Sequence, residues 1–294
     1  MTASIIQVLL SGAQAGIIYG LLALSYYVIL SASNILNFAQ GEWMMIAAVS
    51  GAVLIASGLP YPLTILLSVV IATTLAVTAE RLIVRPLEQR GASLTVVILA
   101  LFGVMIVVRY STALFFGRQE EPLEGPFGNE VLAVGDSIFL PVQSLVVYAI
   151  GAATFVGVNL FLRHTWLGRG LRVAAIDSYG AQVIGIDLNR VRLVAFGLGG
   201  LISAIVGWLY GPLYAAGYLI GATPGIKGFI ALFIGGMASP WGALVGGLFL
   251  GITEVTASRF LPSIYAEGLA FFILILVFLF RPTGLFGSQP LQKV

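Results

Sequence analysis

The sequence predicts an all-α polytopic membrane protein with about eight membrane segments, among them a broken or re-entrant helical pair. Three observations predict it. Of 294 residues, 59% are hydrophobic and 9% charged, whereas a soluble domain carries about 25% charged residues. The mean hydropathy is +1.05. The charges are also segregated: none falls in residues 1–41, 43–79, 91–108, 137–162, 193–226, 228–253 or 268–280. A crossing helix needs about 20 apolar residues, so the longer stretches hold one or two crossings each.

Taken in order, the first span is read near 5–30. Met1-Thr2-Ala3-Ser4 lacks a basic n-region, so no cleavable signal peptide is expected and the first apolar run leads into the fold. Spans follow near 41–58, 62–82, 93–116, 142–162, 191–211 and 262–281. The region 226–257 is too interrupted by Gly and Pro for one straight helix, and a hairpin or re-entrant pair suits it better. Glycine is abundant, at 36 residues. Gly12, Gly16 and Gly20 fall on one stripe, and Gly207–Gly211, Gly242–Gly246 and Gly247–Gly251 are pairs at the same spacing. Small residues four apart let helices approach closely in lipid.

Orientation follows from the basic residues. Arg81, Arg85 and Arg90, then Arg163, Arg169, Arg172, Arg190 and Arg192, then Arg281 and Lys293 mark cytoplasmic segments. The 117–141 loop holds Glu120, Glu121, Glu124, Glu130 and Asp136 against Arg118 alone, and is read as external. Parity puts the N-terminus in the periplasm and the C-terminus in the cytoplasm, provided 226–257 returns to the side it entered from.

Composition also excludes chemistry. With no cysteine, disulfides, zinc clusters and iron–sulfur centres are ruled out. The single histidine, His164, stands beside Arg163 and reads as a surface residue; no metal site and no catalytic residue is expected. A net charge of +2 is too small to point to nucleic acid. No phosphate-cradling Gly-x-x-x-x-Gly-Lys-Ser/Thr loop exists, since Lys227 precedes Gly228 and Lys293 precedes Val294. The span centres read as free of ionisable groups, which counts against a proton-coupled carrier. Glu254 and Arg259 are read as interfacial or as a pair buried between helices.

Three motifs add a resemblance. Leu167-Gly168-Arg169-Gly170-Leu171-Arg172-Val173-Ala174-Ala175, with Ala181 and Gly185-Ile186-Asp187, resembles the cytoplasmic coupling loop of ABC-importer permeases, most closely the branched-chain amino acid family. Asn37-Phe38-Ala39-Gln40-Gly41-Glu42 is similar to that family's Asn-Phe-Ala-His-Gly-Glu signature, with Gln40 where His is usual. Gly235-Gly236-Met237-Ala238-Ser239-Pro240-Trp241-Gly242 resembles its glycine-rich break. The similarity runs the whole chain in order, and points to the shorter, H-type permease subunit in a bacterial inner membrane.

The resemblance implies a single permease domain over 1–294, with external loop 117–141 and coupling loop 163–192. It implies ATP-driven import of branched-chain or related small amino acids. Urea, short amides and aromatic acids are the alternatives within the family, and an autonomous channel or secondary carrier the alternative outside it. No cofactor is expected in this chain; ATP and Mg would sit on two partner ATPase subunits. A second, M-type permease, a periplasmic binding protein and membrane lipid complete the implied partners. A short amphipathic helix over 172–182 is expected to dock the ATPases through a surface of small residues, with Arg172, Ala174, Ala175, Asp177, Ala181 and Gly185 as the coupling site. Asn37, Gln40 and Glu42, with Gly235, Gly236, Ser239 and Gly242 at the break, are expected on the translocation path. Half-helix ends at such a break suit the anionic part of a zwitterion.

Overall fold

A computed structural model describes residues 2–128, 130–134 and 138–287. Asp136 and Lys293 lie outside the described residues. Helix α1 (Thr2–Ser33) is 32 residues long, about 48 Å against a hydrocarbon core of about 30 Å. It is followed by α2 (Gln40–Ala56) and α3 (Tyr61–Ala79). The latter runs through a π turn (Glu80–Val84) into α4 (Arg85–Gln89), so Arg81 and Arg85 extend the span rather than form a loop. Then come α5 (Leu94–Phe116), α6 (Val142–His164), α7 (Trp166–Ile176), α8 (Ser178–Val183) and α9 (Leu188–Tyr214). The chain ends in α10 (Ala222–Gly235), α11 (Pro240–Ala257) and α12 (Ser263–Phe280). The fold is all-α and polytopic, with six helices long and apolar enough to cross a membrane among the described residues. The exception to all-α is a small antiparallel hairpin, β1 (Val131–Val134) and β2 (Ile138–Pro141), in the 117–141 loop.

Glycine decides the centre of the bundle. A Cβ on Gly12 would stand 2.7 Å from Cα of Ile252, and one on Gly16 would stand 2.7 Å from Cα of Leu248. Gly247 and Gly251 present their backbone to Gly20 and Gly16 in return. Helices α1 and α11 therefore run antiparallel with main chain against main chain, a separation that lipid-phase packing exploits. Gly207 seats α9 on the Met44 carbonyl of α2 in the same way. Helix α9 also packs on α1 and α3, whereas α5 is held mainly by α2 and the π turn. Within α9, Pro212 supplies no N–H to the carbonyl of Trp208. Gln143 of α6 supplies it instead, its Nε2 donating to the carbonyls of Leu209 (3.2 Å) and Trp208 (3.4 Å).

Two faces are thereby defined. The side chain of Gln7, near the start of α1, exchanges two hydrogen bonds with the backbone of Phe139, and Glu121 bridges Ala216 just after α9. This is the hairpin face. Helix α1 packs on α7, with Tyr27 near its end beside Arg172, which defines the opposite, α7–α8 face. Beyond α12, the N–H groups of Leu285 and Phe286 donate to the carbonyls of Ile234 and Gly235 at the end of α10.

The 226–257 region is the hairpin α10–α11. Its turn falls at Gly236, whose φ of +101° suits glycine.

Candidate functional site

Between α6 and α9 the sequence builds a projecting two-helix platform from three caps. Thr165 Oγ1 accepts from the N–H of Gly168 (3.0 Å) and starts α7. Asp177 Oδ1 accepts from Tyr179 (3.0 Å) and starts α8. Asp187 Oδ1 accepts from Asn189 (3.0 Å) and starts α9. The expected single helix over 172–182 is therefore two, because Asp177 ends one and caps the next. Gly185, with φ +85°, makes the turn from α8 towards α9.

The expected surface of small residues is also different in the structure. Ala174 and Ala181 are buried and seat the platform on the bundle, while Arg172, Ala175, Asp177 and Gly185 are exposed. The outward surface instead carries bulky side chains: Trp166, Tyr179, Val183 and Ile184 are exposed, and Ile176 is 86% exposed. Arg172 folds back, an Nη2 donating to the Arg163 carbonyl (3.3 Å) at the end of α6. Between α7, the turn after α8 and the start of α9 lies a groove of about 410 Å³, lined by Trp166, Leu167, Val173, Ile184, Arg169 and Arg190 among others. Helix α9 is bolted to α3–α4 by Arg192, which is buried. Its Nε donates to Glu80 Oε1 (2.9 Å), and it also pairs with Glu88.

In the interior, two short helices begin against each other. Helix α2 has 17 residues and α10 has 14, and their starts touch where the backbone of Gly41 meets that of Gly221 and Gly225. Tyr26 closes the crossing, its hydroxyl donating to the Gly225 carbonyl (3.2 Å). Phe38 lies between α5 and α10, its ring 6.3 Å from Phe102 and 5.3 Å from Phe229. Asn37, Gln40 and Glu42 gather here, all at most 1% exposed. Asn37 Oδ1 accepts from the N–H of Ala39 (3.1 Å), while Asn37 Nδ2 and both polar atoms of the Gln40 side chain have no partner. Glu42 Oε1 accepts from Arg109 Nε of α5 (3.1 Å), and its Oε2 has none.

The other expected path residues lie elsewhere. Gly235 and Gly242 pack backbone on backbone in the α10–α11 hairpin, and Ser239 caps α11 by accepting from the N–H of Trp241 (3.2 Å). They stand at the far end of α10 from Gly41, about 20 Å along a 14-residue helix. The structure thus groups Asn37, Gln40 and Glu42, and separates them from the glycine turn.

The helices are not free of ionisable groups, although Lys227 and Glu254 lie towards helix ends, in the second turn of α10 and the last turn of α11. Arg109 sits in α5, and Lys227 Nζ of α10 donates to Glu254 Oε1 of α11 at 2.5 Å. The clue in the sequence was present: Arg109 and Lys227 each interrupt a long apolar run, so each needed an acid on another helix. Glu254 finds that buried partner on α10.

The family model described as "Branched-chain amino acid transport system / permease component" matches residues 8–278. The chain belongs to this family. It is a transport permease subunit and not an enzyme. It is 30% identical to the high-affinity branched-chain amino acid transport system permease protein BraD of Pseudomonas aeruginosa, over 98% of both chains. Against the corresponding permease protein LivH of Escherichia coli K12 it is 29% identical, over 98% of this permease and 97% of that one. In fold, this permease is similar to the solved PsaBC of Streptococcus pneumoniae in complex with Fab, at TM-score 0.51 and 16% identity, covering 96% of this chain and 97% of that chain.

Proposed function

We propose that this permease is the H-type subunit of an ATP-driven importer that carries branched-chain or related small amino acids. The observation that carries the reading is the family match over residues 8–278; the projecting α7–α8 platform fits it. With no phosphate-binding loop of its own, the chain takes its power from two ATPase subunits, which hold ATP and Mg. A second, M-type permease shares the pore, and a periplasmic binding protein delivers the substrate. The α7–α8 face, rich in arginine, lies on the cytoplasmic side of the inner membrane, and the hairpin face with Glu120, Glu121, Glu124 and Glu130 on the periplasmic side.

The mechanism runs through the platform. Ile176, Tyr179 and Val183 enter an apolar groove on the ATPase, flanked by Arg172, Ala175, Asp177 and Gly185. Buried Ala174 and Ala181 hold the platform to the bundle, so nucleotide-driven closure moves it as a lever on α6 and α9. The Arg192–Glu80–Glu88 cluster passes movement of α9 to α3 and α4. Helix α9 also carries α2, and so shifts the crossing at Gly41, where Asn37, Gln40 and Glu42 border the path. Gly235, Gly236, Ser239 and Gly242 serve that path as the pivot of the α10–α11 hairpin.

The test is reconstitution of the importer, isolated from its own membranes in mild detergent, with its binding protein. ATP-dependent uptake of leucine, isoleucine or valine is expected, and Ile176→Glu with Val183→Glu is expected to release the ATPases. A panel of urea, short amides and aromatic acids runs alongside, since Gln40 replaces the usual His. Uptake of one of these in place of any branched-chain amino acid would overturn the substrate; recovery of the chain without ATPases would overturn the importer.

A further inference from the structure

Close to the hairpin face, α1, α9, α10 and α11 enclose a second group of polar side chains that the coupling mechanism leaves unused. Glu254 lies one turn before the end of α11, and Lys227 reaches it from the second turn of α10. Both are largely withdrawn from solvent, with side-chain exposures of 9% for Lys227 and 15% for Glu254. The ammonium of Lys227 stands 5.5 Å above the ring of Tyr19. Tyr210 and Tyr214 stack at 4.2 Å and stand beside Tyr19 and Glu254. Tyr214, at the edge of the group, is half exposed.

Two features fit this group poorly to a purely structural role. Packing α10 on α11 needs no charge, since apolar residues of similar volume usually hold such a contact as well as an ion pair does. The pair is also incompletely satisfied: the Tyr19 hydroxyl lies beside the Glu254 carboxylate, yet Glu254 Oε2 is buried with no geometrically formed hydrogen bond. A carboxylate oxygen left bare beside an ammonium presents one acceptor and one donor cation a few ångströms apart. An α-amino acid carries the complementary pair on a single carbon. Flat tyrosine walls then meet its apolar side chain without demanding one shape.

We propose that Lys227 and Glu254, walled by Tyr19, Tyr210 and Tyr214, are the site that receives a zwitterionic amino acid, Lys227 taking its carboxylate and Glu254 its ammonium. The inference rests on the importer reading above and names what this chain recognises. A neutral amide or urea leaves both charges paired with each other and gains nothing from opening them. The substrate, in turn, replaces the Lys227–Glu254 contact with two of its own. The pair closes again as the substrate moves inward, so nothing charged is left stranded.

The experiment compares the complete importer carrying Lys227→Met with Glu254→Met, or the exchanged pair Lys227→Glu with Glu254→Lys. Leucine uptake, receptor-stimulated ATP hydrolysis and thermal midpoint are read together. Both double variants are expected to keep the midpoint and the stimulated hydrolysis, and to lose at least tenfold in uptake. The exchanged pair rebuilds the ion pair but would hold a zwitterion only end for end. Wild-type uptake by a folded variant of either kind overturns the inference, because a structural contact is all that those variants preserve. If the exchanged pair does not fold, the apolar pair decides alone. A native importer that moves no amino acid defeats the proposed amino-acid substrate instead, so the two failures are separable.

Discussion

Glu42 and Arg109 belong to different helices, and Glu42 is fully buried while Arg109 is part-buried. Removing one member of a buried ion pair strands the other, at about 3–5 kcal/mol. Arg109→Met is therefore expected to lower the thermal midpoint of the purified complex sharply, and Arg109→Lys to lower it less, because the charge stays while the Nε contact at 3.1 Å is lost. An unchanged midpoint in Arg109→Met would mean that Glu42 is neutral in the folded protein. Gln143 offers a cleaner case. It answers the Trp208 carbonyl that Pro212 leaves open and the neighbouring Leu209 carbonyl, so Gln143→Leu should cost about 1–3 kcal/mol. In a Pro212→Ala background the helix regains its own N–H for the Trp208 carbonyl, and the same substitution should cost less. Equal penalties in the two backgrounds would show that Gln143 acts on something other than the freed carbonyl.

Among the elements, the α7–α8 pair shows what was legible in the sequence and what was not. The span edges could be read because charge is excluded from lipid and returns at each boundary, as at Glu80 and Arg163. The hairpin at 226–257 could be read because glycine and proline interrupt its apolar run. The division at Asp177 was harder: an acid inside an amphipathic stretch is as compatible with a solvated face as with a cap. The β-hairpin has a signal in the sequence, Gly135-Asp136-Ser137 between two short apolar runs, but strands of four residues are too short to stand out against the apolar background. The meeting of Gly41 with Gly221 had no local signature at all, being a contact between residues 180 apart. Asp177 allows its two roles to be separated. Asn caps helices as well as Asp does, so Asp177→Asn is expected to retain near-native uptake, while Asp177→Leu loses the cap, about 1 kcal/mol, and several-fold in coupling. Asn and Leu variants that fail equally would assign Asp177 to a charge contact with the ATPase.

For the molecule as a whole, the lack of native cysteine makes every introduced thiol unique. Glu124→Cys on the hairpin face and Gln182→Cys on the platform should react with an impermeant maleimide from opposite sides of a sealed vesicle. Labelling of both from one side would refute the assigned topology. The glycine seam is the least tolerant part of the bundle: Gly16→Leu drives a side chain into the backbone of α11 and should leave no assembled protein in the membrane. That seam also sets a schedule for synthesis. Gly12 and Ile252 are 240 residues apart, and at about 5–20 residues per second the ribosome needs about 12–48 s to deliver the second after the first. During that interval α1 lies in the bilayer with its glycine face open to lipid and to other nascent chains. The last quarter of the protein is thus the part that completes the first, and newly made copies will stay vulnerable to membrane proteases until translation has passed α11.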